Sequence, residues 1–405
     1  MPKTNIQTLL VIGIDTVAIA KSATNASYKI YAVDFFGDLD LKRTCFSYKS
    51  MVKQKRGKSC GKMKSKLKPE IFLKMAKALL KKHKIDAILL SSGLDDDFEV
   101  LNDLNGIVPI LGNSPEIIRK VRERRGFFEG LKRLGVEYPV TAIVENVCEA
   151  KDVAEKIGYP VVFKPAKGFG GANIRIACNS GEIERAFNQV SQASEDVLVQ
   201  KLVDGVHASA SFLATDDDVK VLTLNEQLMG LRSLYQEEPF GYCGNIVPLK
   251  CSGIVMERCE QIVKKVALYF GLKGSNGIDL VISKDGKPYV VEVNPRFQGT
   301  LECVEKVIGI NLVESHINAC LHGSLPTIKK QASIYCTRLI LYAPKRVVAP
   351  DLTVFPEIRD IPFPETIIEK GEPLCSIITE GKTRDISVLK AKKLAKSIYS
   401  LLHPA

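Results

Sequence analysis

Two hydrophobic rhythms run along this chain, and their order sets out its plan. Thr8 to Ile14 is an unbroken apolar run, the mark of a buried strand, and Lys29 to Phe35 is a second. Val17 to Ser27, between them, has helical spacing. Pro69 opens a longer helix, PEIFLKMAKALLKKHK, whose apolar face is Ile71, Leu73, Met75, Leu79 and Leu80. The runs DAILLSS and IVPILGN then predict a third and a fourth strand. Strands alternating with helices imply a parallel sheet, here over residues 1–113. Ser114-Pro115-Glu116 starts the next helix with an N-cap, a proline and an acid in the first turn. That helix should run to about Leu134, where Gly135 stops it.

From 114 to about 325 the rhythm turns to paired strands. Ala208 to Ala214 and Val219 to Leu224 read as a hairpin, and Glu257 to Phe270 as an amphipathic helix with Ile262, Val263, Val266 and Phe270 inward. Residues 326–405 are broken by Pro344, Pro350, Pro356, Pro362 and Pro364. There Ser333 to Tyr342 and Leu374 to Thr379 predict strands, and Arg384 to Leu402 a terminal helix carrying Leu389, Leu394, Ile398 and Leu401.

The densest signal is GIDLVISKDGKPYVVEVNPRFQG, Gly277 to Gly299. Asp285-Gly286 is a strong hairpin turn. A two-residue turn there pairs Lys284 with Lys287 and, carried outward, sets Asp279 opposite Glu292. Alternation then puts Glu292 and Asn294 on one face with Asp279. Tyr289, Val291, Val293, Ile278, Leu280 and Ile282 take the apolar side. Opposed Cβ atoms lie roughly 4.5–5.5 Å apart, so two carboxylates there repel unless a cation lies between them. Oxygen ligands suit Mg²⁺ before Zn²⁺. The same alternation also suits an ordinary half-buried hairpin with a solvated polar side. Upstream, the apolar run Tyr159 to Phe163 ends in Lys164, and a glycine-rich loop, Ala166 to Ala172, follows. Gly168, Gly170 and Gly171 allow close approach of backbone N–H groups to phosphates, and a plain hairpin turn would use glycine too.

Asp279, then Glu292-Val293-Asn294-Pro295-Arg296 thirteen residues on, resembles the metal-binding hairpin of the ATP-grasp superfamily, in its biotin carboxylase-like branch. The lysine-ended strand and glycine loop resemble that family's phosphate flap. The resemblance covers about residues 1–325. It implies that Asp279, Glu292 and Asn294 hold Mg²⁺ (or Mn²⁺) against ATP, and that Lys164 with Gly168, Gly170 and Gly171 holds the phosphates. It also implies that Arg296 stabilises a reacting acyl phosphate. Glu123-Arg124 stands where the family has Asp-Lys, and arginine there keeps the charge but changes the donor geometry. Gln200, Lys201 and Val203 match a strand and linker that read adenine through the main chain, Gln200 replacing the commoner glutamate. His207 falls at a ribose-hydroxyl contact. The implied fold is α/β and α+β: a Rossmann-like parallel α/β domain (1–113), a two-lobed ATP-grasp domain (114–325) and a small β-rich C-terminal appendage (326–405).

Composition narrows this picture. Hydrophobic content of 45% and charge of 25% are those of a globular protein. No run of 18 apolar residues occurs and the N-terminus is a poor signal peptide, so a cytoplasmic protein is expected. The 11 cysteines include no CxxC and are expected reduced. Of the net charge of +11, much lies in KQKRGKSCGKMKSKLK, Lys53 to Lys68, which has eight basic residues and no acid. Without interleaved aromatics it reads as a solvated, mobile loop rather than a nucleic-acid contact. The first βα turn, Gly13-Ile14-Asp15-Thr16, is no dinucleotide fingerprint. Asp15, Asp34 and Gly37-Asp38 lie at strand ends, where open α/β sheets bind ligands; turn formation would explain them equally. No lysine flanked by methionines offers a biotin attachment site.

The expected activity is ADP-forming ligation of a small-molecule carboxylate to an amine, with ATP and Mg²⁺, no membrane or nucleic-acid partner, and a homodimer admitted. A bicarbonate-activating carboxylase and a non-catalytic ATP-binding regulator are the alternatives.

Overall fold

The computed structural model describes residues 6–168, 170–328 and 334–405. The first sheet holds β1 (Thr8–Gly13), β2 (Lys29–Asp34), β3 (Ser47–Ser50) and β4 (Ala87–Leu90), all parallel, in the order β3-β2-β1-β4. Its strands are apolar on both sides because both faces are covered. Leu9 and Val11 pack with Val304 and Val307, while Leu10 and Ile12 pack with Phe72 and Leu101.

Three expectations in this region need correction. The helix Pro69–Leu80 buries Phe72, Ala76 and Leu79, so its inward stripe is offset from Ile71, Leu73 and Met75. IVPILGN is no strand: a helix, Phe98–Ile107, takes its first residue, and only Ile110 bridges to Ile88. The Asp97 side chain caps that helix at the Val100 amide. The basic stretch is exposed as expected, but it is anchored rather than a free loop. Ser59 bridges to Ile367, the Gly57 amide donates to the Glu365 carbonyl at 2.8 Å, and Ser59 Oγ donates to Glu369 Oε1 at 2.6 Å.

The second sheet, β5 (Thr141–Val144), β6 (Val161–Pro165), β7 (Arg175–Ala177) and β8 (Val197–Lys201), is antiparallel in the order β5-β8-β6-β7. The long helix expected before it breaks at Glu123, whose extended backbone separates the helices Pro115–Arg122 and Arg124–Arg133. The Glu123 carboxylate caps the second helix by accepting from the Arg125 and Gly126 amides.

The third sheet begins with β9 (Gly205–Ala214), β10 (Val219–Met229), β11 (Tyr242–Val247), β12 (Gly274–Ser283), β13 (Pro288–Asn294) and β14 (Tyr335–Tyr342). Then come β15 (Val347–Val348), β16 (Ile358–Arg359), β17 (Ile367–Ile368) and β18 (Pro373–Gly381). Eight of these form one antiparallel sheet, β13-β12-β9-β10-β11-β14-β18-β16; β15 and β17 belong to a small separate sheet. The segment expected as an appendage therefore continues the central sheet, with β14 on β11 and β18 on β14. Its terminal helix, Arg384–Ser400, buries Ser387, Ala391, Ala395 and Ile398, while Leu389 stays exposed. Small side chains let it lie close on the strands.

The hairpin reaches its expected pairing by another route. Ser283 faces Lys287, so three residues form the loop, and Ile282 pairs with Pro288. A bulge between Asp279 and Leu280 on one strand, at Val291 on the other, then restores Asp279↔Glu292, Ile278↔Val293 and Gly277↔Asn294. The bulge also changes the faces. Val290 and Val293, rather than Tyr289 and Val291, join Ile278, Leu280 and Ile282 in the core.

His316 clamps the first part of the chain to β12. Its Nδ1 accepts from the Ser275 amide at 2.7 Å, so Nε2 carries the proton and donates to the Leu111 carbonyl at 3.1 Å. Burial depresses its pKa from 6.5 to about 4. A depressed base stabilises the fold fully above 6.5, and that stability drains as pH falls through the folded value. We expect a loss of about 3 kcal/mol over this window from His316, seen as a steeper pH slope of the urea-unfolding free energy than in His316→Gln. Equal slopes would refute it. A chain ending at residue 325 should also aggregate rather than unfold cooperatively, since it bares the β11 edge; a soluble, two-state truncated protein would contradict the shared sheet.

Candidate functional site

The bulged hairpin presents Asp279 and Glu292 side by side. The Asn294 amide nitrogen donates to Asp279 Oδ2 at 3.1 Å, and Gln227 Nε2 to Asp279 Oδ1 at 2.9 Å. Burial, then repulsion from Glu292, pushes the Asp279 carboxyl up to about 7 against these hydrogen bonds and Arg296. Burial opposes charge on Glu292 as well, but Arg122, Arg124 and Lys164 outweigh it and hold that carboxyl at about 2. Among the described residues no three His, Cys, Asp or Glu side chains gather as a metal-binding set; the donors here are two carboxylates and an amide.

The cations come from three places. Lys164, at the end of β6, is lowered to about 8 by burial, with Arg124 adding to the fall and Glu292 and Asp279 resisting it. Arg124 donates from Nε to the Ala166 carbonyl at 3.0 Å and from a terminal nitrogen to Glu292 Oε2 at 3.2 Å. Arg122, which the sequence did not single out, lies 3.6 Å from Glu292 Oε1. It also grips Asp96 through two hydrogen bonds of 2.7 and 2.8 Å. The break at Glu123 turns both arginines toward one carboxylate, and that break was hidden in a helical pattern.

The glycine loop bends over this cluster. The Gly168 amide donates to Asp96 Oδ2 at 3.0 Å, and its carbonyl accepts from Arg122 at 3.2 Å. The Gly170 carbonyl accepts from the Tyr242 amide at 3.1 Å. Gly171 has φ +72°, and a Cβ there would sit 1.8 Å from the Phe240 carbonyl oxygen, so only glycine fits.

The remaining expected residues divide. His207, on β9, is half-buried; burial and then Lys164 lower its pKa, which ties it to the same cluster. Val203 lies half-buried in the β8–β9 link. The Gln200 side chain turns to Thr141 Oγ1 at 2.7 Å, and Lys201 Nζ caps the Gly158 and Tyr159 carbonyls at 2.9 Å each. The side chains of 200 and 201 thus serve the second sheet.

Arg296 donates from Nε to Asp95 Oδ2 at 2.7 Å and reaches Asn294 Oδ1 at 3.3 Å. Beyond it lies a second charged cluster. Buried Arg338, on β14, donates to Asp15 at 2.8 Å, Asp360 at 2.9 Å and the Gly299 carbonyl at 2.7 Å. Asp15 Oδ1 and Arg338 Nε are buried without hydrogen-bond partners among the described residues. Asp34 instead ties down its own turn through Thr16 and Gly37, and burial raises it to about 7. Asp38 accepts from Gln54 at 2.7 Å, and burial raises it well above its usual range. Sequence reading missed Asp95 and Asp96, although GLDDD follows a buried strand at its C-terminal end, the place the strand-end rule marks.

Residues 121–300 match the family model described as the ATP-grasp domain. The chain carries an ATP-grasp domain. Its fold is that of biotin carboxylase from Campylobacter jejuni (TM-score 0.75, 17% identity, 100% of this chain and 93% of that one). An L-amino acid ligase from Bacillus licheniformis is similar (TM-score 0.71, 15% identity, 98% of both chains). An uncharacterized protein of Methanocaldococcus jannaschii is 26% identical over 93% of this chain and 89% of its own length. The carbamoyl phosphate synthase large chain of Helicobacter pylori is 23% identical over 73% of this chain, which spans only 27% of that protein's length. No described helix is long and apolar enough to cross a membrane.

Glu292 is the counter-charge shared by the cations around the hairpin of this ATP-grasp domain. Glu292→Ala should therefore cost about 3–5 kcal/mol, as for other broken buried pairs, measured by urea unfolding. A change within about 0.5 kcal/mol would show that the cluster holds together without it.

Proposed function

We propose that this protein activates a carboxylate as an acyl phosphate with ATP and joins it to an amine, releasing ADP and phosphate. The observation that carries the reading is Asp279, Glu292 and Asn294 gathered opposite Lys164 and Arg124, beside the glycines of the loop that follows Lys164. Asp279 is raised by burial and by its neighbour's charge, and all the nearby donors of the hairpin face are oxygen or amide groups. These residues fit a hard divalent cation, and Asp279, Glu292 and the Asn294 amide oxygen would hold Mg²⁺. When bound, that ion neutralises phosphate charge as a Lewis acid.

Lys164, Arg124 and the backbone of Gly168, Gly170 and Gly171 grip the triphosphate. The main chain around Lys201 and Val203 reads the purine edge, and His207 meets the ribose; the side chains of Gln200 and Lys201 brace that strand. A substrate carboxylate oxygen attacks the γ-phosphorus, and ADP leaves. The amine then attacks the carbonyl carbon, phosphate departs, and the nitrogen sheds its proton. Arg296, aimed by Asp95, stabilises the negative charge that develops in both steps.

The test is magnesium-dependent ADP release across a panel of carboxylates and amines, with products read by mass spectrometry. A pair that drives turnover should appear, and Glu292→Gln should lower kcat by about 10²-fold or more. Arg296→Met should lower kcat with little change in the KM for ATP. A Glu292→Gln protein as fast as wild type would end the catalytic assignment.

A further inference from the structure

Asp96 carries the further inference, which rests on the nucleotide reading above. Its carboxylate receives three N–H donors: Arg122 Nε at 2.7 Å, an Arg122 terminal nitrogen at 2.8 Å and the Gly168 amide at 3.0 Å. A guanidinium fork with a glycine-loop amide is a donor set that suits phosphate as well as carboxylate. Arg122 is buried, and its third nitrogen lies 3.6 Å from Glu292 Oε1, so these donors border the hairpin cluster. One set of donors cannot serve a carboxylate and a phosphate together.

We propose that Arg122 and the Gly168 amide form an anion site for a phosphate of the nucleotide, and that Asp96 is a built-in competitor for it. A buried arginine with its fork unmatched is costly. Asp96 supplies the match until nucleotide replaces it. There is room for the exchange. Asp96 lines a cavity of about 340 Å³ together with Leu67, Asp95, Asp97, Lys167 and Gly168. The side chain is 23% exposed, so rotation toward water and Lys167 leaves no buried charge behind. Its neighbours are fixed: Asp95 holds Arg296, and Asp97 caps the following helix. Only the Asp96 side chain needs to move.

The rival role, a brace that keeps Arg122 and the loop ready, predicts the opposite sign. Titration calorimetry of the full chain with Mg·ATP, Mg·ADP and adenosine separates the two. If the Asp96-held form makes up about nine-tenths of the free protein, Asp96→Asn should bind the phosphorylated ligand about tenfold tighter. Adenosine should gain nothing, and Arg122→Met should lose ATP affinity. Asp96→Glu, which keeps the charge, should not show the gain. Asp96→Ser serves as a second variant should the asparagine form not fold. Wild type that binds ATP with both neutral variants equal or weaker overturns the competitor role and leaves the proposed function standing. A gain that extends equally to adenosine also overturns it. Wild type that binds no nucleotide overturns both.

Discussion

Two carboxylates set on directly opposed strand positions repel, and much of the surrounding polar structure answers that repulsion. The answer is asymmetric. Glu292 receives Arg122, Arg124 and Lys164 and stays charged far below the usual carboxylate range. Asp279 receives only amide donors from Asn294 and Gln227, with Arg296 farther off, and is pushed up to about 7. The hairpin therefore offers one carboxylate already compensated and one that still favours a positive partner. That imbalance is the electrostatic basis for proposing a divalent cation there. It also explains why cations from a different sheet and a different helix converge on a single side chain.

The same constraint links the parts of the chain. Glu292 sits on the large sheet, Lys164 on the second sheet, and Arg122 and Arg124 flank the break between two helices. Arg338, on a strand contributed by the last part of the chain, pairs with Asp15 from the turn after β1 and Asp360 from the last segment. A chain divided at 325 would separate Arg338 and Asp360 from Asp15 and leave Asp15 without its cation. Buried ion pairs add little net stability against apolar alternatives, yet breaking one is expensive. Their value here is positional: they fix the three sheets relative to one another around one charged centre.

Much of this was legible in the chain. Thr8–Gly13 and Lys29–Asp34 are apolar on both faces and form where their pattern puts them, because burial on both sides leaves little choice. The pairing Asp279↔Glu292 was right, although the assumed path was not: a loop one residue longer and a compensating bulge give the same alignment there. A sequence pattern reports which residues are apolar, and Val290, Val291 and Val293 all are. It cannot say which of them a bulge turns outward. The helix break at Glu123 was invisible for a related reason, since glutamate is a good helix former and caps only when its side chain finds free amides. The basic stretch is exposed as its charge suggests, but charge alone could not show that its backbone has partners some three hundred residues away. Arg122 and Arg338 were missed because a buried arginine is defined by the acids around it, and those come from distant segments.

Asp95, Asp96 and Asp97 show what such long-range assembly achieves. They are consecutive, follow one buried strand, and point to three different tasks: aiming Arg296, holding Arg122 with the Gly168 amide, and capping the helix Phe98–Ile107. In an irregular turn successive side chains need not share a face, so three neighbours can serve three directions. The cap anchors one end of the turn and the Arg296 pair restrains the other. Asp96, between them, lines a cavity and is held by Arg122 and the Gly168 amide. The proposed phosphate end and the proposed acyl-transfer arginine are thereby tied to the first sheet through one rigid turn. Any displacement of that turn would move both together, and a change confined to the Asp96 side chain need disturb only the first.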